Sequence, residues 1–266
     1  MHPATAAAPE SISILPHRPR IFGAIPARWA STRLPGKPLV EVAGRPMILH
    51  VLERVAAAER LDRVVVLTDD ERIAAVVEAA GGEVEMTPPE CASGTDRVAW
   101  AARGWPDVDG VVNVQGDWIL DPEPISRLAG HLAAYPEDPL VTLAVAASEE
   151  EMADPAAVKV VCDRRGYALY FSRSALPYRR RPATAGDPPI VALKHWGIYG
   201  YRRQTLLELA SLPPTPLERA ESLEQLRALE NGIPIRVLVV DGQAESMDTA
   251  EDVARVDAAL RRQGAS

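Results

Sequence analysis

Ile21-Phe-Gly-Ala-Ile25-Pro-Ala-Arg28-Trp-Ala-Ser31-Thr-Arg33-Leu-Pro-Gly36-Lys37-Pro-Leu39 is an apolar run that turns into a cationic loop. Residues 21–24 predict a short buried strand, and Pro26 is expected to end it, so the rest reads as a loop leaving the strand's carboxyl end. Open α/β sheets bind their ligands at that end. Arg28, Arg33 and Lys37 bring three positive charges with no acid between them, while Ala27, Ala30, Ser31 and Gly36 are small enough to let something bulky approach the backbone. The set suits a triphosphate. A solvated basic surface loop is the alternative, and the position of all three cations directly after a first strand weighs against it. Two other phosphate loops are excluded by inspection. Pro38 stands where a Walker loop needs Ser or Thr after its Lys, and no second glycine follows Gly23 before Gly36, so the dinucleotide fingerprint is absent.

Outward from this stretch, strand and helix alternate. Apolar residues at helical spacing predict a helix over 46–59, with Pro46 at a first helical position. A continuous apolar run predicts a strand over 63–68, and a helix over 71–80 closes on Gly81-Gly82. A short helix to residue 102 has Ser93 or Thr95 as its cap. A buried strand over 110–115 ends at Gly116-Asp117, followed by a helix over 124–135 and a strand over 140–146. This alternation implies an α/β fold with a mostly parallel sheet and right-handed crossovers. From residue 157 the rhythm changes. Strands over 158–162 and 167–172 flank a hairpin turn at Asp163-Arg-Arg-Gly166. A Pro- and Arg-rich mobile loop is expected over 177–189. A strand over 194–201, helices over 202–209 and 216–230, a strand over 233–240 and a helix over 249–262 complete the chain.

With 266 residues, 47% hydrophobic and 25% charged, the chain can form one large α/β domain or two small ones. A formal net charge of -8 argues against nucleic acid or a membrane surface as partner. Anionic small substrates require cations gathered locally, as in the opening loop. Cys91 and Cys162 lack the spacing of a disulfide framework or zinc site, which suits a reducing cytoplasm. The five histidines show no metal-ligand spacing. No apolar run is long enough to span a bilayer. Residues 1–20 lack a hydrophobic signal region and read as a disordered extension.

Two carboxylates stand out. Asp117 follows Gly116 where a buried strand exits, a position open both to a metal-holding carboxylate and to a simple turn-former. Asp248 precedes Glu251 by three residues, so it can cap the last helix in a capping box, direct an oxygen at an ion, or do both. One or two carboxylates suit Mg²⁺, whose remaining positions go to water and phosphate oxygens.

The opening stretch resembles the signature of sugar-activating cytidylyltransferases, most closely the 3-deoxy-manno-octulosonate (Kdo) cytidylyltransferase family. The resemblance extends through Gly81-Gly-Glu-Val84, Ser93-Gly-Thr-Asp-Arg97, Val112-Asn-Val-Gln-Gly-Asp117, Val158-Lys-Val-Val161, Tyr167-Ala-Leu-Tyr-Phe-Ser-Arg173, Gly197-Ile-Tyr-Gly-Tyr-Arg202 and Leu223-Glu-Gln-Leu-Arg227, in that order. It implies a Rossmann-like nucleotide-diphospho-sugar transferase fold in a single domain over 21–266, with a sugar-binding and dimerisation segment at about 155–202. It also implies a role in lipopolysaccharide biosynthesis, in a cytoplasmic homodimer. The implied reaction joins CTP to a sugar acid: the anomeric hydroxyl attacks the α-phosphorus and pyrophosphate leaves.

In this reading Arg28, Arg33 and Lys37 neutralise the phosphates, and Asp117 and Asp248 hold Mg²⁺. Ala27, Ser93, Gly94 and Arg97 bind the nucleotide, and Gln115, Arg173, His195, Tyr199, Glu224 and Gln225 bind the sugar acid. The chain departs from the family at one point. After Gln-Gly-Asp the family usually continues Glu-Pro, and here Trp118-Ile119 follows. An aromatic in place of an acid leaves open a different acid sugar, and a non-catalytic nucleotide-binding relative is the further alternative.

Overall fold

The computed structural model describes residues 18–30, 34–178, 180, 192–242, 244–247 and 249–263. Almost all of the expected N-terminal extension, most of the 177–189 loop, and both Arg33 and Asp248 lie outside them.

Strand β1 (Ile21–Ala27) is buried along its whole length. It does not stop at Pro26. Pro26 keeps its place in the parallel ladder opposite Leu67, and its carbonyl accepts from Gly116 N–H at 3.2 Å. A proline can sit in a strand where its missing N–H is not required, and the loop therefore starts only at Arg28. A 3₁₀ turn (Lys37–Leu39) leads into a small ribbon, β2 (Glu41–Val42) with β3 (Arg45–Pro46), and then α1 (Met47–Ala56). Next come β4 (Arg63–Thr68), α2 (Glu71–Ala79), β5 (Val84–Met86), α3 (Gly94–Ala102) and β6 (Gly110–Asn113). Strands β5, β4, β1 and β6 lie side by side, all parallel, as the alternation predicted.

The chain continues through β7 (Trp118–Leu120), α4 (Pro122–Ala134), β8 (Leu140–Ala146), α5 (Glu149–Ala153), β9 (Lys159–Cys162), β10 (Ala168–Ser172) and β11 (Leu193–Arg202). The ten-residue strand β11 converts the sheet from parallel to antiparallel. It runs antiparallel to β6 through Tyr199–Arg202, to β9 through Leu193 and Lys194, and to β8 along most of its length. Its register against β8 shifts between Trp196 and Tyr199. Strand β10 pairs with β9 as the expected hairpin.

Helices α6 (Arg203–Ser211), α7 (Pro216–Glu221) and α8 (Gln225–Glu230) follow, then β12 (Ile235–Val239) parallel to β8, β13 (Ala244–Ser246) antiparallel to β7, and α9 (Ala250–Gln263). The single helix expected over 216–230 is two helices. Ser222 adopts a left-handed conformation (φ 53°), which ends α7 and redirects the chain before α8. Without that break Glu224 and Gln225 would continue a solvated helix face, whereas Gln225 is buried.

Helices cover both faces. Ile48, Val51, Ile73, Ile125, Leu128 and Val256 from α1, α2, α4 and α9 pack into one core. Val98, Ala101, Leu206, Leu209 and Leu226 from α3, α6 and α8 build the other. Fully burying a side chain of this size contributes roughly 1.5–3 kcal/mol, so each helix is held mainly by its apolar stripe. Among the described residues, no helix is long and apolar enough to cross a membrane.

Candidate active site

The carboxyl ends of the parallel strands carry the cationic loop. Arg28 opens it with an exposed side chain. Gly36, in a left-handed conformation (φ 69°), caps the 3₁₀ turn, and its N–H donates to the Trp29 carbonyl at 3.1 Å. The Trp29 ring lies so close that a Cβ at position 36 would sit 2.8 Å from it. The Arg72 guanidinium covers the same ring, 3.3 Å from its centroid. The loop is thereby folded back on itself, with Lys37 turned inward. Lys37 is buried, and its Nζ lies 2.5 Å from Asp117 Oδ2. The expected phosphate-binding cation and the expected metal-holding carboxylate thus pair with each other.

Asp117 reaches this position because Gly116 packs against β1. A Cβ on Gly116 would lie 2.9 Å from the Pro26 carbonyl oxygen. On its other side, Met247 N–H donates to the Asp117 carbonyl at 3.1 Å, extending the β7–β13 ladder. The backbone leading to Asp248 is therefore tied to Asp117. The cap of the last helix falls one residue later than expected. Thr249 and Asp252 form the reciprocal box, with Thr249 N–H and hydroxyl donating to Asp252 Oδ2 at 3.0 and 3.1 Å and Asp252 N–H returning to Thr249 Oγ1 at 3.2 Å. Thr249 thus performs the capping that the sequence offered as one of two roles for Asp248.

Ser93 caps α3 through a capping box with Asp96. A Cβ on Gly94 would lie 2.7 Å from Gln115 Oε1, so the glycine lets the Gln115 amide pass over the helix start. The Ser93 and Thr95 hydroxyls donate to the Glu224 carboxylate at 3.4 and 3.3 Å. Burial raises the Glu224 pKa, with Arg227 acting against it and Asp96 in the same direction. Arg97, expected beside the base, is 2% exposed. Its guanidinium bonds the Thr87 hydroxyl and lies 3.0 Å from Asp69 Oδ2, bracing α3 against the ends of β4 and β5.

Beyond Asp117 opens a cleft of about 230 Å³ lined by Trp118, Lys194, His195, Tyr199 and Gln225, among others. It lies where β11 passes from its pairing with β6 to its pairing with β9. The Trp118 ring is tilted against fully buried Trp196, 6.4 Å between centroids. His195 Nε2 lies 2.9 Å from Thr142 Oγ1, whose own proton has the Ile198 carbonyl at 2.8 Å. Nε2–H is therefore the donor in that pair. Burial lowers the His195 pKa to about 3, so the ring is neutral at ordinary pH. The Tyr199 phenol is held well above its usual pKa by burial, with Tyr201 and Glu224 adding to the effect. Lys194 Nζ pairs with Glu151 Oε1 at 2.8 Å on the rim. Arg173 is not among the lining residues. Its Nε donates to the Glu221 carbonyl at 2.9 Å and one terminal nitrogen to the Pro155 carbonyl at 3.1 Å, beside the cleft wall.

The structure therefore brings Gln115, Ser93, Gly94 and Glu224 together, places His195, Tyr199 and Gln225 in one cleft, and joins Lys37 to Asp117. Sequence reasoning gave no individual role to Thr142, Lys194 or Lys159, and offered Thr95 only as an alternative cap for α3. A lysine inside the buried run 158–161 was the one available signal, since such a residue must find acceptors in the interior.

Among the described residues, no three His, Cys, Asp or Glu side chains cluster as a metal cage. A Mg²⁺ that completes its shell with phosphate oxygens needs only one or two carboxylates, and Asp117, already facing an ammonium at 2.5 Å, is fitted to hold a cation.

A cationic loop at the ends of a parallel sheet, joined through one aspartate to a polar cleft, is the layout of a nucleotidyltransferase: polyphosphate on one side, acceptor on the other. The chain belongs to the 3-deoxy-manno-octulosonate cytidylyltransferase family, and the cytidylyltransferase family model matches residues 23–237. The 3-deoxy-manno-octulosonate cytidylyltransferase of Myxococcus xanthus is 51% identical over 246 residues, covering 92% of this chain and 98% of the relative. That of Syntrophotalea carbinolica is 49% identical, covering 91% and 98%. A solved structure of CMP:2-keto-3-deoxy-manno-octonic acid synthetase complexed with CTP superposes with a TM-score of 0.85 at 40% identity, covering 92% of this chain and 99% of that one. A putative glucose-1-phosphate thymidylyltransferase from Bacillus anthracis, 17% identical with a TM-score of 0.65 over 91% of this chain and 95% of its own, shares the fold.

Proposed function

We propose that this chain transfers CMP from CTP to the anomeric hydroxyl of Kdo and releases pyrophosphate. One observation carries the reading beyond the similarity of relatives that act on this acid. Consecutive residues face the two sides of the reaction, Asp117 meeting Lys37 of the cationic loop and Trp118 lining the acceptor cleft. The reacting phosphorus then falls at the junction.

Little covalent chemistry is left to the protein in such a displacement. The acceptor hydroxyl releases its proton to solvent as its oxygen forms a bond to the α-phosphorus, the bond to the bridging oxygen breaks, and pyrophosphate leaves with the electron pair. Arg28, Arg33 and Lys37 neutralise the triphosphate and the departing pyrophosphate. Ser93 and Gly94 present the start of α3 to the base, with Arg97 as the brace. His195, Tyr199, Gln115, Glu224 and Gln225 supply donors and acceptors to the sugar hydroxyls. Arg173 meets the acceptor carboxylate from the edge of the cleft. Asp117 and Asp248 would hold Mg²⁺, which supplies charge neutralisation at the α-phosphate and favours ionisation of the attacking hydroxyl.

The working unit is residues 21–266, with the segment at about 155–202 serving both the acceptor and a homodimer contact. Leu169 on the outermost strand β10 (63% exposed) and Tyr178 (87% exposed) support that contact. The chain works in the cytoplasm and feeds lipopolysaccharide assembly. The Trp118 indole in the cleft favours a second reading in which a less hydroxylated sugar acid is the better acceptor.

The test is pyrophosphate release by the purified full chain with CTP, Mg²⁺ and Kdo. Release is expected only when all three are present, with CMP-Kdo as co-product. Release with another sugar acid and none with Kdo would establish the second reading. No release with any sugar acid, despite CTP binding, would leave a nucleotide-binding relative without turnover.

A further inference from the structure

Strand β9 places a lysine where its neighbours are aliphatic. Lys159 follows Val158 and precedes Val160, and it is 0% exposed. Among the described residues no carboxylate forms an ion pair with its ammonium, and Asp154 and Glu221 act on it only through space. Instead Nζ donates to three backbone carbonyls, those of Asp154 at 2.8 Å, Ala157 at 2.6 Å and Arg173 at 2.6 Å. An ammonium has three donors, and each finds an acceptor here.

Those carbonyls belong to two separate segments. Asp154 and Ala157 bracket the turn after α5, and Ala156, Ala157 and Val158 form one wall of the acceptor cleft. Arg173 follows the end of β10, and its guanidinium returns to the Pro155 carbonyl of the same turn. The ammonium and the guanidinium thus cross-link one turn to one strand end from both directions. Burying a cation without a matching carboxylate is costly, and a methionine of similar length would fill the same space. Packing alone gives no reason for a lysine.

We propose that Lys159 is the positioning residue of the acceptor half, fixing the cleft wall and Arg173 relative to each other before the sugar acid arrives. It touches no substrate. The proposal rests on the reading of the cleft as the acceptor site. CTP, bound at the ends of the parallel strands, should not sense the residue.

The test is steady-state kinetics of the full-length protein with each substrate varied in turn. Lys159→Met is expected to raise the KM for Kdo by about tenfold to a hundredfold, as misplacement of a binding wall does, while the KM for CTP is unchanged. Lys159→Arg keeps the charge, but its planar fork cannot reach three carbonyls from one nitrogen, so the same selective rise is expected even if the methionine variant fails to fold. Equal changes in both KM values, or none in either variant, would overturn the proposal. Gln225→Ala, which alters the cleft lining directly, separates the two levels of inference. If it leaves the KM for Kdo unchanged, the cleft reading itself is wrong; if it raises that KM while the Lys159 variants do not, only the positioning role fails.

Discussion

The two halves of the sheet present the groups proposed to meet the substrates in different ways. In the parallel half they sit beyond the strand ends: the loop with Arg28 and Lys37, the turn at Asp117, and the start of α3. In the antiparallel half they sit within elements, with His195 and Tyr199 inside β11 and Gln225 in the first turn of α8. Loop groups can adjust to a flexible polyphosphate and its counter-ion, whereas groups on strands are rigidly spaced and suit a ring with fixed hydroxyl directions. The difference follows from the topology. Parallel strands with helical crossovers open a crevice at their carboxyl ends, while a strand that switches partners midway, as β11 does between β6 and β9, opens one along its edge.

The largest effect is expected on the nucleotide side. Lys37→Met should lower kcat/KM by about two to three orders of magnitude, the usual effect of losing one donor to a developing charge. Because Lys37 is buried against Asp117, a modest fall in melting temperature should accompany it. Normal turnover by a folded variant would show that the loop does not hold the phosphates. Asp248→Asn should reduce activity by a similar factor, about a hundredfold or more, with partial recovery at high Mg²⁺. Its melting temperature should not change, since Thr249 and Asp252 cap the helix without it.

A smaller effect is expected where the halves meet. Trp118→Glu should alter the ranking of sugar acids by about tenfold while leaving the KM for CTP alone, because a single pocket contact discriminates by roughly 1–3 kcal/mol. An identical ranking in both proteins would make the indole a packing residue against Trp196. The smallest effect concerns stability. His195 is neutral in the folded protein down to about pH 3, while an exposed imidazole protonates near pH 6.5. As pH falls below 6.5 the unfolded chain binds a proton that the folded one refuses, so stability declines by at most about 1.4 kcal/mol per pH unit. Between pH 6.5 and 5, before most carboxylates titrate, His195→Gln should show a flatter melting-temperature profile than the wild type. Parallel profiles would show that His195 is not kept neutral.

The same contrast explains what could be read from the residues. The parallel core was legible because β1, β4 and β6 are continuous apolar runs, and the functional loop followed from where those runs stop. A cap for α3 at Ser93 or Thr95 was legible from one short motif, and the structure selects Ser93. The acceptor half was not legible from spacing. His195 looks like any strand histidine, and Glu224 and Gln225 look like the solvated face of one long helix until Ser222 breaks it. Ribbons of two or three residues, β2 with β3 and β7 with β13, are too short to show a period, although the second of them ties the approach to Asp248 to Asp117. Arg97 illustrates the converse. Its place in a nucleotide motif suggested contact with the base, but burial turned its guanidinium to Asp69 and Thr87.

The division between nucleotide and acceptor halves is tested most directly by crossing one variant from each against both substrates. CTP affinity is measured by equilibrium titration, and acceptor KM by pyrophosphate release at saturating CTP. Arg28→Ala should weaken CTP binding by about tenfold with the KM for Kdo unchanged, and Gln225→Ala should do the reverse to a similar degree. If both variants weaken both substrates in parallel, the two halves do not divide the work between them.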